Sequence, residues 1–257
     1  MLSGFARAPH RIARMRTARF PAGALTAFLA FSAISGNADA RTRSSQDWPT
    51  ASASQEVALL TQPQQLVSRS GKALTPIRTI GAWRPITGVR TALPVSGRTT
   101  MPDGVRLLHV MLPGRPNGSR GWIRQRGTST ARINWKIVVH TASRHMLVYH
   151  GGALARSMSA VVGRASTPTP HGSFFVEESV RMPPGAAGGP YALALSAHSA
   201  ALQEFEGSPG QIAIHGMAKL AGDLGTASSH GCIRLSDRDL RWLVARISPG
   251  ARISIAS

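Results

Sequence analysis

The sequence has 257 residues, of which 42% are hydrophobic and 16% charged, so one or two small domains with an ordinary core are expected. Glycine and proline are frequent and aromatic residues make up only 5%, which favours β structure with many turns over a helical bundle. The net charge is +19, but nearly all basic residues are arginines scattered along the chain. Without interleaved aromatic residues they disfavour nucleic-acid binding and are compatible with attraction to anionic wall polymers.

The first 40 residues have the pattern of an export signal. Five arginines between positions 7 and 19 precede an almost wholly apolar or small run over 21–34, and Ala38-Asp39-Ala40 is an A-x-A cleavage site. The apolar run is too short to span a bilayer. We therefore expect residues 1–40 to be a secretory signal peptide, and the mature protein to be secreted to the periplasm or cell wall without stable membrane insertion.

Two segments without a catalytic constellation follow the signal. Residues 41–75 are rich in Ser, Thr, Gln and Ala without sustained periodicity, which predicts a flexible linker. Residues 76–126 contain short β-like runs separated by turns, with Asn117-Gly118 as a hairpin signal. A segment of this length and pattern suits a small SH3-like β module, which we interpret as a spacer or a wall-contact module.

Residues 127–257 carry the strongest pattern, which predicts a mostly β domain. Apolar runs over 133–140 and 145–149 are strand candidates, and His150-Gly151-Gly152 predicts a turn into a further strand. Ser236 can cap the one convincing helix. Its apolar face would be formed by residues at helical spacing, and Pro249-Gly250 would end it. These face residues are Leu240, Leu243, Val244 and Ile247.

The only cysteine of the sequence, Cys232, lies in a polar segment just before this helix. A thiol has a pKa of about 8.5 and needs a base or a positive neighbour to act as a nucleophile near neutral pH. Two histidines are candidates: His230, two residues away on the same face of an extended segment, and His215, at the end of a short strand. Gly231 allows close backbone approach, its N–H with that of Cys232 could form an oxyanion hole, and Arg234 could hold a carboxylate.

Two other interpretations of this cluster compete with nucleophilic catalysis. A lone cysteine is often buried and inert, although a polar segment of this kind is a poor core segment. His215, His230 and Cys232 could instead be three zinc ligands, but no carboxylate base lies nearby in the sequence. We therefore expect neither a metal nor another cofactor.

The cluster resembles the active-site signature of a known family. His215-Gly216 followed by Ser229-His230-Gly231-Cys232-Ile233-Arg234 is similar to the signature of L,D-transpeptidase catalytic domains, which cross-link bacterial peptidoglycan. Val162-Gly163, Thr167-Pro168-Thr169-Pro170 and Gly172-x-Phe174 resemble the strand and loop that precede it. The resemblance covers residues 133–256, about half of the chain, and its S-H-G-C-x-R core is the specific part.

The resemblance implies a fold and a reaction. The fold is an L,D-transpeptidase-type β-sandwich with one helix after the Cys motif, preceded here by the SH3-like module. In the reaction, Cys232 would attack the carbonyl of the third stem-peptide residue, release the terminal D-alanine, and pass the acyl group to an amine of another stem. Peptidoglycan stem peptides would be the partners and penem-class β-lactams the inhibitors.

The resemblance also implies roles for individual residues. His215 would be the general base, oriented by the carbonyl of Gly216, and His230 would join the amides of Gly231 and Cys232 around the oxyanion. The substrate or oxyanion positions would be Gly216, Ser229, Gly231 and Arg234.

Two rival functions remain open from the sequence. If water replaces the amine, the same residues give an L,D-carboxypeptidase. A catalytically inactive wall-binding protein is the alternative from another class, although Cys232, His215 and Gly231 are all present. A papain-like peptidase fits less well because there the cysteine precedes the histidine, whereas here His215 comes first.

Overall fold

The computed structural model describes residues 51–71, 73–204 and 209–257. The predicted signal peptide, and residues 41–50 of the predicted linker, lie outside the described residues. From residue 51 onwards the chain belongs to one compact unit. Among the described residues no helix is both long and apolar enough to cross a membrane.

The N-terminal part of this unit is a seven-stranded antiparallel sheet. Its strands are β1 (Gln55–Leu60), β2 (Gln64–Ser70), β3 (Ala73–Ile80), β4 (Ala92–Thr100), β5 (Arg106–Met111), β6 (Arg120–Arg124) and β7 (Thr128–Ile133). Their order across the sheet is β3-β2-β6-β5-β4-β1-β7. The predicted turn at Asn117-Gly118 is confirmed, because it joins the paired strands β5 and β6. The SH3-like character of this module stays a prediction.

The predicted linker over residues 41–75 is wrong for the residues that form β1, β2 and the start of β3. Strand β1 lies between β4 and β7 and pairs with both, and its Val57 and Leu60 are buried in the core. The Ser, Thr and Gln content of this segment hides its strand pattern. Strand β2 pairs with its neighbour β3, whereas β1 pairs with strands that are distant in the sequence. The boundary at residue 127 was also too early, because β7 belongs to the first sheet.

The C-terminal part contains an eight-stranded mixed sheet, a two-stranded sheet and one helix. Its elements are β8 (Trp135–His140), β9 (His145–His150), β10 (Ala153–Ser159), β11 (Val162–Gly163), β12 (Gly172–Arg181), β13 (Tyr191–His198), β14 (Gln211–His215), β15 (Ala227–Ser229), β16 (Ile233–Arg234), α1 (Asp237–Val244) and β17 (Arg252–Ala256). The large sheet runs β10-β9-β8-β17-β12-β13-β14-β16, and β11 pairs with β15. The mostly β fold class, with a helix after the Cys motif, is thereby confirmed.

Helix α1 begins where the sequence predicted and ends earlier. The Ser236 Oγ accepts a hydrogen bond from the Asp239 backbone N–H at 3.1 Å, which satisfies one of the first-turn donors that a helix leaves unpaired. Leu240 and Leu243 are fully buried. The helix ends at Val244 instead of continuing to Pro249, so Ile247 reaches the core from the turn that follows.

The two parts share a packed boundary through strand β12. Phe174 and Val176 point into the core of the C-terminal sheet, whereas Phe175 packs among the apolar side chains of the N-terminal sheet. Gly250 lies close to Val57, so that a Cβ there would come 2.8 Å from its side chain. Side chains that alternate along β12 thus pack into both cores. Through Phe175, the N-terminal sheet packs on the outer face of the sheet that carries the candidate site.

Candidate active site

Strands β14 and β16 bring the candidate catalytic residues to one side of the sheet. They are parallel, with Ile214 opposite Ile233 and His215 opposite Arg234. Both isoleucines are fully buried in the core, so His215 and Arg234 lie on the other side. Cys232 directly precedes β16, and the alternation of an extended chain puts its side chain on the side of Arg234 and His215. Cys232 is partly exposed.

The loop that carries Cys232 is organised by a buried hydroxyl group. The Ser229 Oγ accepts a hydrogen bond from the Gly231 N–H at 3.1 Å and donates one to the Cys232 carbonyl at 2.6 Å. Ser229 is fully buried. Gly231 has φ +122°, in the region that favours glycine. The Gly231 N–H therefore donates within the loop, and the oxyanion roles of the Gly231 and Cys232 N–H groups stay predictions.

The Thr-Pro-Thr-Pro segment holds this loop in place. The Thr169 Oγ1 accepts a hydrogen bond from the Gly163 N–H and donates one to the Gly231 carbonyl, both at 2.8 Å. Thr167 donates to the Ser229 carbonyl at 3.3 Å. Thr169 is 3% exposed, so its two hydrogen bonds are shielded from water. The Thr-Pro-Thr-Pro segment, which the sequence identified by resemblance, thus fixes the backbone of the Cys232 loop through buried hydrogen bonds.

The imidazole of His215 is held by the residues around it. Its Nδ1 lies 2.9 Å from the Gly216 carbonyl oxygen, the arrangement expected from the resemblance. The Gly216 N–H in turn donates to the Gly188 carbonyl at 2.6 Å. A neutral imidazole that donates through Nδ1 keeps Nε2 as its proton acceptor. His215 is half-buried, so the backbone around Gly216 and Gly188 limits how the ring can turn.

Asp237 and Gly188 contact this region and were not singled out by the sequence. Asp237 opens α1, and its Oδ1 is buried without a hydrogen-bond partner among the described residues. A Cβ on Gly216 would come 2.3 Å from that oxygen, and one on Gly189 would come 3.1 Å from it. In the sequence the Gly188-Gly189 doublet indicates only a loop, and no local pattern links it to His215.

Arg234 and His230 differ in how the fold places them. Arg234 is 8% exposed, and its Nη1 donates to the Ala221 carbonyl at 2.9 Å, so it fastens the loop between β14 and β15. Its predicted contact with a substrate carboxylate stays a prediction. His230 is exposed, at the outer side of the Cys232 loop. Within the part of the chain that the structure describes, no three His, Cys, Asp or Glu side chains could hold a metal ion.

The comparisons with known proteins agree on the C-terminal part. Residues 134–255 match the YkuD family model, described as an L,D-transpeptidase catalytic domain. A Bacillus licheniformis protein provisionally named L,D-transpeptidase YkuD is 32% identical over 124 residues, which are 48% of this chain and 66% of that protein.

Several solved structures with detectable likeness are described as L,D-transpeptidases. An Enterococcus faecium enzyme is 20% identical over 47% of this chain and 49% of its own, with a TM-score of 0.37. L,D-transpeptidase 3 of Mycobacterium tuberculosis is 16% identical over 65% of this chain and 92% of its own, with a TM-score of 0.43. The chain thus spans about half of the Enterococcus faecium protein and just under two thirds of the Bacillus licheniformis one. Residues 134–255, just under half of the chain, are therefore similar to the YkuD family of L,D-transpeptidase catalytic domains.

Proposed function

We propose that the protein is a peptidoglycan L,D-transpeptidase that uses Cys232 as its nucleophile. The observation that carries the proposal is the hydrogen bond between His215 Nδ1 and the Gly216 carbonyl, together with the register that sets His215 and Cys232 on the same side of the sheet. A histidine fixed through Nδ1 has Nε2 available for a thiol proton. The match of residues 134–255 to the L,D-transpeptidase catalytic domain supports the same reaction.

The proposed reaction has two acyl-transfer steps. His215 takes the Cys232 proton, and the thiolate attacks the L-centre carbonyl of the third residue of a stem tetrapeptide. The tetrahedral intermediate expels D-alanine, whose amine receives the proton from His215, and a thioester remains. An amine of a second stem then attacks the thioester, gives its proton to His215, and the Cys232 sulfur leaves. No oxidant, metal or cofactor is needed for this balance.

The other predicted site residues receive more limited roles. The Cys232 N–H and the His230 side chain are proposed to stabilise the oxyanion. Ser229 and Gly231 shape the turn that presents the sulfur, as their hydrogen bonds indicate. Arg234 is proposed to act on substrate through the loop that it fastens at Ala221. Penem-class β-lactams are proposed to acylate Cys232.

The proposed cellular setting is the periplasm or cell wall. It rests on the expected signal peptide and on the wall chemistry of the family. The excess of arginine is suited to contact with anionic wall polymers, which are proposed as further partners.

A hydrolytic variant of the reaction is the second candidate. Cys232 is only partly buried, so water can approach the thioester. If water hydrolyses it in place of an amine, the enzyme acts as an L,D-carboxypeptidase. The two reactions differ in product: a cross-linked dimer from amine attack, and a tripeptide from water attack. An inactive wall-binding protein would give neither.

One experiment separates these outcomes. The mature protein is incubated with a purified stem tetrapeptide, and the products are followed by mass spectrometry. Transpeptidation predicts loss of D-alanine with formation of the dimer, and Cys232→Ser should abolish both. Tripeptide alone would assign the carboxypeptidase, and unchanged tetrapeptide together with no acylation by a penem would overturn the proposal of an active enzyme.

A further inference from the structure

Away from the candidate active site, an open cavity lies where the N-terminal sheet meets the outer face of β12, β13 and β14. Its volume is about 240 Å³, below the roughly 300–1,000 Å³ of sites for drug-sized ligands. Gln211 lines it at the opposite end of β14 from His215, four residues or about 13 Å along the strand. The residues that carry the argument are Arg78, Arg84, Glu177, His198 and Gln211.

A β-bulge on β12 places two consecutive carboxylates on the outer face. Val176 is opposite Leu195 and Glu178 is opposite Ala194, so Glu177 and Glu178 together face one residue of β13. Both side chains then point to the N-terminal sheet, and each is at most 3% exposed. An unbroken strand would have turned one of them into the apolar core.

The two carboxylates differ in their hydrogen bonds, because one oxygen of Glu177 has no donor among the described residues. Glu178 accepts hydrogen bonds from the Thr87 N–H at 3.1 Å and the Thr87 hydroxyl at 2.7 Å, and it lies 3.6 Å from Arg84 Nε. Glu177 pairs with Arg84 through Oε2. Its Oε1 is buried without a hydrogen-bond partner among the described residues. A buried acceptor of this kind costs free energy unless something donates to it.

His198 adds a second unsatisfied atom at the same cavity. It is 6% exposed, and its ring has a hydrogen bond to the Ser196 carbonyl. The ring Nδ1 has no partner within the described part of the chain. Burial lowers the pKa of His198, so the ring favours its neutral form and Nδ1 an acceptor role. Gln211 donates its amide to the Leu195 carbonyl at 2.9 Å, which leaves its side-chain oxygen as a further acceptor.

The guanidinium of an exposed arginine, Arg78, also lines this cavity. Arg78 is exposed and donates Nη2 to the Pro113 carbonyl at 3.0 Å. The cavity is thus lined by the acceptors of Glu177, His198 and Gln211 together with the guanidinium groups of Arg78 and Arg84. Burial raises the pKa of Glu177 to about 7, against the opposing effect of Arg84.

We propose that this cavity binds an amino-acid zwitterion, with the ammonium donating to Glu177 Oε1 and His198 Nδ1 and the carboxylate at Arg78. A primary ammonium has three donors, which matches the cluster of acceptors better than an anion does. The choice of D-alanine as ligand rests on the proposed function, because that reaction releases a D-amino acid. The same zwitterion is present at the side-chain end of a diamino dicarboxylic acid in a stem peptide, so the ligand is either the free amino acid or that end of a stem.

The test measures binding to the mature full chain by calorimetry with three probes. D-Alanine has both charges, propionate lacks the amine, and ethylamine lacks the carboxylate. We expect saturable binding of D-alanine, and binding of each analogue weaker by about tenfold or more, the effect of losing one charge-assisted hydrogen bond. A stem peptide that contains a diamino dicarboxylic acid should compete with D-alanine. Its relative affinity identifies which source of the zwitterion the cavity favours.

Variants connect the binding to this cavity. Glu177→Gln and Arg78→Gln should each weaken D-alanine binding about tenfold or more, whereas Arg106→Gln, an exposed arginine on the same sheet, should leave it unchanged. Arg78 is exposed, so its variant should fold even if Glu177→Gln does not. Equal binding of propionate and D-alanine, no saturable binding, or unchanged affinity in Arg78→Gln would overturn the assignment. Release of D-alanine from a tetrapeptide tests the proposed function separately.

Discussion

Gly188 lies against the imidazole of His215. A Cβ on Gly188 would come 2.7 Å from His215 Nδ1, and Gly188 itself has φ +86°. The same glycine accepts the Gly216 N–H through its carbonyl, and the Gly216 carbonyl is the oxygen beside Nδ1. Three short contacts therefore connect the loop before β13 with the ring that is proposed to take the thiol proton.

Gly188→Ala should reduce the rate at which a penem acylates Cys232. The added methyl group cannot fit beside Nδ1 unless the ring or the loop moves, and a misplacement of about 1 Å costs on the order of 10²-fold in rate. The measurement is the acylation rate by mass spectrometry, with folding checked by circular dichroism.

Gly225→Ala is the matched control for Gly188→Ala. Gly225 has nearly the same positive φ, +83°, but nothing lies within 4 Å of the added Cβ. Both variants carry the backbone strain, and only the Gly188 variant crowds His215. Equal losses in the two variants would show that strain alone is responsible and that the contact with the ring is unimportant.

His215 and His230 should be distinguishable by pH dependence. With His215→Ala the Cys232 thiol loses its base, so acylation should be weak near neutral pH and recover as the pH approaches the ordinary thiol pKa of about 8.5. His230→Lys places a positive charge near the proposed oxyanion, where it can stand in for the histidine, and should retain substantial activity near pH 7.

The size of the defect alone does not separate the two histidines. Loss of a general base costs about 10²–10⁴-fold and loss of an oxyanion donor about 10²–10³-fold, and these ranges overlap. Alkaline recovery in His230→Lys, with parent-like behaviour of His215→Ala, would reverse the assignment. Cys232→Ser should be inactive at every pH.

The residues of the candidate site could be identified from the sequence more easily than the contacts that support them. The Cys232 segment could be recognised because its residue types occur together, and the cap at Ser236 because it depends on neighbours in the chain. The contacts of Gly188 and Asp237 with the His215-Gly216 segment join residues far apart in sequence, and no local periodicity records them. The use of the Gly231 N–H by Ser229 also depends on a side-chain rotation that a motif does not specify.

The N-terminal boundary was missed for a related reason. Strand β1 is short, and it lies in a segment rich in Ser, Thr, Gln and Ala, a composition typical of a linker. Its burial comes from β4 and β7, whose residues lie far along the chain. In the same way, strict alternation of side chains along a strand would place Glu177 and Glu178 on opposite faces of the sheet. The bulge on β12 places them on the same face, and the sequence does not show this bulge. Long-range pairing, which a single sequence does not record, decided both cases.

Thr169→Val should destabilise the protein and loosen the Cys232 loop. The substitution keeps the shape of the side chain but removes both the acceptor for the Gly163 N–H and the donor to the Gly231 carbonyl. Leaving such buried groups unsatisfied costs about 1–3 kcal/mol. Thermal unfolding should show a lower Tm, and penem acylation should slow. Thr130→Val, at an exposed position of β7, is the control, and an equal effect there would argue against the role of Thr169.

Glu177 should make the protein less stable as the pH rises. Its pKa is raised from an ordinary value of 4.5 to about 7, first because of burial, with Arg84 opposing the shift and Glu178 adding to it. Between pH 4.5 and about 7 the folded chain therefore holds a proton that the unfolded chain has released. The stabilisation from this proton is complete below pH 4.5 and is lost as the pH rises through 7.

Glu177→Gln removes this titration, so its free energy of unfolding relative to the parent should increase between pH 5 and pH 8. Denaturant unfolding at several pH values gives the difference. Glu56→Gln is the control, because it removes an ion pair with Arg98 that is open to solvent, and such pairs contribute little. A Glu177→Gln difference that stays constant with pH would mean that Arg84 keeps the carboxylate ionised throughout, and that the ion pair prevails over burial at this boundary.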